Sequence, residues 1–238
     1  MKILALDTAT ESCSVALLID GKLSTREMEF DRGHAEHILP MVDSILIEAG
    51  LRLAEVDALA FGRGPGGFTG VRLAASVTQG LAFGAGLPVV PVSNLAALAQ
   101  RAFDLAFAPE RVLVCSDARM HEVYWACFER AQNGLARLLG EEHVGPPQSV
   151  TLPVSWADAP AGSVAGIGRG FRAYPALREM VGPRVTVARD DLLPRAAEIA
   201  RLAAQDVTAG RLLKPEEAIP VYLRDDVARP QSRSSSQS

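Results

Sequence analysis

The densest chemical signal in the chain is its glycine run, GRGPGGFTG at residues 62–70. It lies between an apolar stretch (VDALAF, 56–61) and a nearly uncharged one (69–85) whose single charge is Arg72. The order predicts a strand, a glycine loop and a helix. Such a loop can do two different things. Free backbone N–H groups at the helix N-terminus attract an anion, or the missing side chains let one backbone press against another. Gly62, Gly64 and Gly67 satisfy G-x-G-x-x-G. A dinucleotide site also wants an acid about 20 residues further on, and no Asp or Glu lies between Asp57 and Asp104. No lysine follows any of these glycines, so the loop is not a P-loop. A tight turn needing positive φ is the plainer reading.

Two acids, Asp7 and Asp117, end apolar strand-like runs. In an ATPase built on two such turns, acids facing each other across a cleft hold Mg²⁺ through water, and small residues let backbone N–H groups reach phosphate. Thr8, Ala9 and Thr10 permit that after Asp7, whereas Ala118, Arg119, Met120 and His121 crowd the second turn. Tight ATP binding within this chain is therefore not expected, and both acids read as strand-end groups that satisfy local N–H donors. His34 and His37 share a helix face, but a zinc or iron site wants at least three ligands. Only Glu36, Asp31 and the distant His121 or His143 could complete one, so no metal is expected. No serine sits in G-x-S-x-G, and no cysteine lies in a signature that pairs it with a base. Cys13, Cys115 and Cys127 read as buried, reduced thiols of a cytoplasmic protein.

The elements that must position these groups follow from pattern. Residues 2–7, 12–19 and 22–30 read as three strands, with Asp20-Gly21 as a hairpin turn. A helix at 34–49 follows, and Pro40 implies either a start just before it or a kink. After the glycine loop and its helix come a strand at 87–92 and a helix at 94–105 capped by Asn94. A second unit repeats the opening: strand 111–116, Asp117, strand 123–129, Asn133-Gly134 turn, strand 135–144. A strand at 163–168, a short helix at 174–181 and a longer helix at 192–209 complete it, with residues 220–224 extended. The expected division is a first domain at 1–108, a second at 109–228 and a disordered tail at 229–238, with helix 192–209 able to pack back on the first domain. A net charge of −4 with no basic run argues against a large nucleic-acid face. No targeting signal and no membrane-length apolar stretch is read.

The helix after the glycine loop is apolar or small on every side, where a surface helix would show one polar face. It and the 34–49 helix together predict an exposed apolar patch that docks another subunit.

Two halves with this plan resemble the actin/sugar-kinase/heat-shock ATPase superfamily, an α/β fold of two tandem actin-like (RNase H-like) domains, each a mixed sheet flanked by helices, the second reduced. More specifically, ALDTATESCSVAL (5–17), HAEHILP (34–40), GPGGFTGVRLAAS (64–76), DARMHEVYW (117–125) and PVYLRDDVA (220–228) resemble the TsaB (YeaZ) family. That resemblance implies a non-catalytic partner of TsaD in making threonylcarbamoyladenosine (t6A) beside the tRNA anticodon. It implies a homodimer in isolation, TsaE as a further ATPase partner, tRNA met only through the complex, and no membrane. It implies no tightly held cofactor, with ATP or ADP at a boundary shared with TsaD and TsaE. Asp7, Thr8 and Thr10 are candidates for residual nucleotide contact. The subunit contact is expected at His34, Ile38, Met41, Val42, Leu46, Arg63, Phe68, Arg72, Ala75 and Gln79, with Gly64, Pro65, Gly66, Gly67 and Gly70 beside it. The rival expectation is an enzyme of the same fold, an ATP-using transferase or a glycoprotease-like peptidase.

Overall fold

In the computed structural model of the chain, residues 1–224 other than Asp31 are described. The expected tail at 229–238, residues 225–228 and Asp31 as a metal-ligand candidate lie outside the described residues. Apolar runs broken by tight turns build an antiparallel meander of β1 (Lys2–Asp7), β2 (Ser12–Ile19) and β3 (Lys22–Glu29). Asp20 and Gly21 both take positive φ, as a two-residue hairpin requires. Helix α1 (His34–Ala49) leads to β4 (Ala58–Gly62), helix α2 (Phe68–Ala85) to β5 (Val89–Val92), and α3 (Asn94–Phe103) closes the half. The first sheet has the order β3-β2-β1-β4-β5, with β4 and β5 parallel to β1.

The second half repeats it. β6 (Arg111–Asp117), β7 (Val123–Arg130) and β8 (Ala136–Gly145) form the meander, and β9 (Val164–Ile167) and β10 (Val185–Arg189) join in parallel. The order β10-β9-β6-β7-β8 is that of the first sheet read backwards. Helices α4 (Gly170–Ala173) and α5 (Leu177–Met180) are four residues each, and α6 (Ala196–Thr208) is the one long helix of this half. The fold class is α/β, two tandem actin-like domains with the second reduced.

Helices α1 and α2 cover one face of the first sheet through Ile38, Val42, Ile45, Ala75 and Ala82. The inner faces are exchanged between the halves. Ala196, Ile199, Ala200 and Ala203 of α6 pack on Ile3, Ala5, Ala16 and Val90 of the first sheet. Leu95, Leu98, Ala99 and Phe103 of α3 pack on Val112, Val114 and Phe128 of the second.

Several elements differ from their pattern-based bounds. α1 starts at His34, well ahead of Pro40, and runs through it. Ser93, not Asn94, caps α3: its Oγ accepts from the N–H groups of Leu95 and Ala96, each at 3.1 Å. The expected helix at 174–181 shortens to α5, with α4 lying ahead of it, because Tyr174 precedes a proline and leaves helical geometry. α6 starts only at Ala196 because Leu193-Pro194 and an extended Arg195 precede it. β10 carries no isolated apolar run and was not predicted; its burial comes from pairing with β9. No helix among the described residues is long and apolar enough to cross a membrane.

Candidate functional site

Between the two domains lies a cleft of about 950 Å³, lined by the turn after β1, the glycine loop, the turn after β6 and the last described residues. Asp7 ends β1 between β2 and β4, and no part of it reaches solvent. Its Oδ1 accepts from Asn94 Nδ2 at 2.7 Å and from the Ala9 N–H at 3.4 Å. Its Oδ2 has no partner among the described residues. Burial pushes the Asp7 carboxyl up to about 7, against the pull of the Asn94 amide and the Ala9 and Thr8 N–H groups. With Ser93 as the cap, Asn94 is free to bridge. Its Oδ1 accepts from the Gly64 N–H at 2.8 Å, and its own N–H donates to the Gly64 carbonyl at 3.0 Å.

The glycines serve close approach. A Cβ on Gly62 would overlap Asp7 Oδ1, and one on Gly70 would overlap the Thr8 carbonyl oxygen. One on Gly66 would sit 2.6 Å from the Ala9 carbonyl oxygen. The Gly67 N–H donates to the Ala9 carbonyl at 2.7 Å, and Thr8 Oγ1 donates to the Gly70 carbonyl at 2.7 Å. The loop that could have held a phosphate is laid, backbone on backbone, over the Asp7 turn. Thr8 and Thr10 line the cleft, whereas Asp7 lies behind them. Of the three candidates for nucleotide contact, Asp7 is the one fully buried and outside the cleft lining in this conformation.

The Asp117 turn is closed differently. Asp117 Oδ1 accepts from the Arg119 N–H at 2.8 Å, and Oδ2 from Arg119 Nη1 at 3.0 Å. Arg119 Nη2 also reaches Glu11 of the first domain at 3.1 Å. Arg169 joins the same carboxylate at 3.4 Å and Glu29 at 2.9 Å. Arg119, Met120 and His121 have φ of 60°, 53° and 61°, three successive L residues in the left-handed region.

His34 and His37 do structural work. His34 Nε2 lies 2.9 Å from the Thr10 carbonyl, which accepts, and His37 stacks on Phe30 with ring centroids 4.4 Å apart. No cluster of three or more His, Cys, Asp or Glu side chains among the described residues could hold a metal. Burial raises all three thiols, Cys13 to about 11 and Cys127 to about 12, so none is a ready thiolate.

Of the residues expected at the subunit face, Ile38, Met41, Val42, Leu46 and Ala75 are buried in the chain's own first core. His34, Arg63 and Gln79 are half-buried, with Arg63 paired to Glu142 at 3.3 Å. Phe68 and Arg72 are exposed, and the Arg72 guanidinium lies 3.5 Å above the Phe68 ring. The side chains that α1 and α2 do present outward are Leu39, Ile47 and Phe83, the last two 77% exposed. Their signal was in the sequence: Ile47 falls off the stripe through Ile38, Val42, Ile45 and Leu46. Asn94, Glu11 and Arg169 were missed, because each acts on a residue distant in sequence.

A family profile described as "TsaD: tRNA N6-adenosine threonylcarbamoyltransferase" matches residues 28–229. The tRNA threonylcarbamoyladenosine biosynthesis protein TsaB of Escherichia coli (strain K12) is 44% identical over 230 residues, 96% of each chain. The protein of that name from Haemophilus influenzae is 40% identical over 235 residues, 95% of each chain. Among solved structures, YeaZ from Pseudomonas aeruginosa superposes with a TM-score of 0.82 at 46% identity, covering 93% of this chain and 99% of that one. A crystal structure of an uncharacterized protein with similarity to peptidase YEAZ, from the same organism, gives 0.84 at 47% identity over 94% and 99%.

Proposed function

The chain belongs to the TsaB (YeaZ) family, and on that premise we propose that it is a non-catalytic subunit that holds TsaD active in t6A formation at N6 of the anticodon-adjacent adenosine. A part in tRNA threonylcarbamoyladenosine biosynthesis follows from the family. The division of labour rests on the state of the two acid turns, which is the observation that carries the reading. Asp7 is covered by the glycine loop and Asp117 is held by Arg119, so neither is free to grip a metal-bound nucleotide. What remains for this chain is contact. The outer faces of α1 and α2 leave Leu39, Ile47 and Phe83 exposed, apolar side chains of the kind another subunit covers.

TsaD takes that face in the complex, and a second copy takes it in isolation. TsaE joins the pair, and ATP or ADP binds at the shared boundary, where Thr8 and Thr10 are the nearest groups of this chain's first turn. The tRNA is met only by the assembled complex, in the cytoplasm. The test is size-exclusion chromatography with light scattering, on the protein alone and mixed with TsaD from the same organism. A self-dimer that gives way to a mixed complex is expected, and Ile47→Glu or Phe83→Glu should abolish both species while leaving the monomer folded. A monomer in both runs, or micromolar ATP affinity by the chain alone, would restore the enzyme reading.

A further inference from the structure

After α6 the chain returns to the first domain, where Ala218 is buried in its core, and then crosses the mouth of the cleft. The crossing is made by few, separate contacts. The Val221 N–H donates to the Arg63 carbonyl at 2.8 Å, and the Val221 carbonyl oxygen lies 2.9 Å from where a Cβ on Gly64 would sit, so the segment rests directly on the glycine loop. Tyr222 accepts from Arg72 Nε at 2.7 Å and packs its ring 6.1 Å from that of Phe68, with the Arg72 guanidinium set against both rings. Two residues on, Arg224 reaches the other domain. Its guanidinium donates to the Ala118 carbonyl at 3.2 Å and pairs with Glu122.

The far anchor is the turn containing Arg119, Met120 and His121, all left-handed. L side chains are sterically disfavoured there, and such a run persists only when its surroundings hold it. Arg224 holds it at both ends, through Ala118 and Glu122, while Arg119, the first of the three, is tied to Asp117 and Glu11. The near anchor is the loop that covers Asp7. One short segment thus links the closures of both acid turns. Among the described residues it does so with one backbone hydrogen bond to the first domain and side chains that remain partly exposed, the properties of a contact that opens locally rather than with the whole fold.

We infer that residues 220–224 are a releasable strap that bolts the two domains across the cleft, and that opening of the cleft requires Tyr222 and Arg224 to let go. This is independent of what docks on α1 and α2. Release loosens the Gly64 turn and the left-handed turn together, because the strap touches the first through Val221 and the second through Arg224; the turn at residues 9–11 also bridges them and stays in place.

The experiment is amide hydrogen exchange by mass spectrometry on the full chain, comparing wild type with Tyr222→Ala/Arg224→Ala. The expected result is exchange at least tenfold faster in residues 63–67 and in 119–122, with β1 and α6 unchanged. Any other pattern overturns the inference: neither segment faster, only one faster, or β1 and α6 accelerated with them. The last would make the strap a contributor to general stability and nothing more. A spin-label distance measurement gives a second reading of the same point. With Met28→Cys and Val154→Cys as labels, one exposed residue in each domain and neither on the outer faces of α1 and α2, the three native thiols stay buried and unlabelled. The strap variant should broaden the distance distribution, and an unchanged one would refute the latch.

Discussion

The Asp7 and Asp117 turns occupy the same place in two sheets of the same strand plan, and they are closed by different means. In the first domain the loop after β4 presses glycines onto Asp7, Thr8 and Ala9, so backbone covers the acid. In the second domain the loop after β9 also brings glycines, but lands earlier on the strand. A Cβ on Gly168 would lie 2.5 Å from the Cys115 carbonyl oxygen, and one on Gly170 2.8 Å from the same atom. The close approach thus falls short of Asp117, which is left for Arg119 to neutralise. Duplicated topology therefore carries over strand order and loop position, not chemistry. The acid is buried and backbone-bound in one copy, and paired at the cleft edge in the other.

The difference can be broken or sharpened by substitution, and pH has the largest expected effect. Burial pushes the Asp7 carboxyl up to about 7 in the folded chain, against 3.8 for an ordinary aspartate. Between those values the folded state holds the proton that the unfolded state has lost, so the contribution of Asp7 to stability is greatest below pH 4 and is lost as pH rises through 7. At 1.36 kcal/mol per unit, wild type should lose roughly 4 kcal/mol relative to Asp7→Asn between pH 4 and pH 8. Urea unfolding across that range checks it, and parallel profiles for the two proteins would refute the buried-acid account.

Gly70→Ala should come next, costing about 3 kcal/mol in the same assay, because its Cβ meets backbone that cannot move away. Gly80→Ala, on the same helix with nothing within 4 Å, should instead stabilise by about 0.5–1 kcal/mol. If both behave alike, the glycine loop is not pressed on the Asp7 turn. Asn94→Ala should cost about 2 kcal/mol at neutral pH, since it strips a donor from a buried carboxylate and an acceptor from the Gly64 N–H. Arg119→Ala should cost less than about 1 kcal/mol, because its ion pairs are largely exposed. A loss there as large as that at Asn94 would mean that the two closures are energetically alike after all.

Much of the candidate site was legible along the chain. The glycine run and the crowded DARMHE turn follow from residue type and spacing. The choice between anion site and close approach was not, since both uses of glycine look the same until the Thr8 and Ala9 carbonyls are seen against the loop. Ser93 and Asn94 are both good caps, and nothing local says which one turns inward to Asp7. Several residues expected at the docking face, Ile38, Met41, Val42, Leu46 and Ala75, are instead buried in the chain's own core. α2 is apolar or small all round, so it has no polar face to mark the outside.

By itself the sequence determined the two meanders, their Asx-Gly turns, the strand–glycine–helix unit and the internal repeat. All of these are local: side-chain period, turn chemistry and backbone freedom act over a few residues. Only the tertiary structure decided that α3 and α6 exchange sheets, that Arg119 and Arg169 meet Glu11, and that Asn94 joins Asp7 to Gly64. These contacts join residues far apart in the chain. Which partners meet is set by how buried faces and charges are shared among all the elements at once.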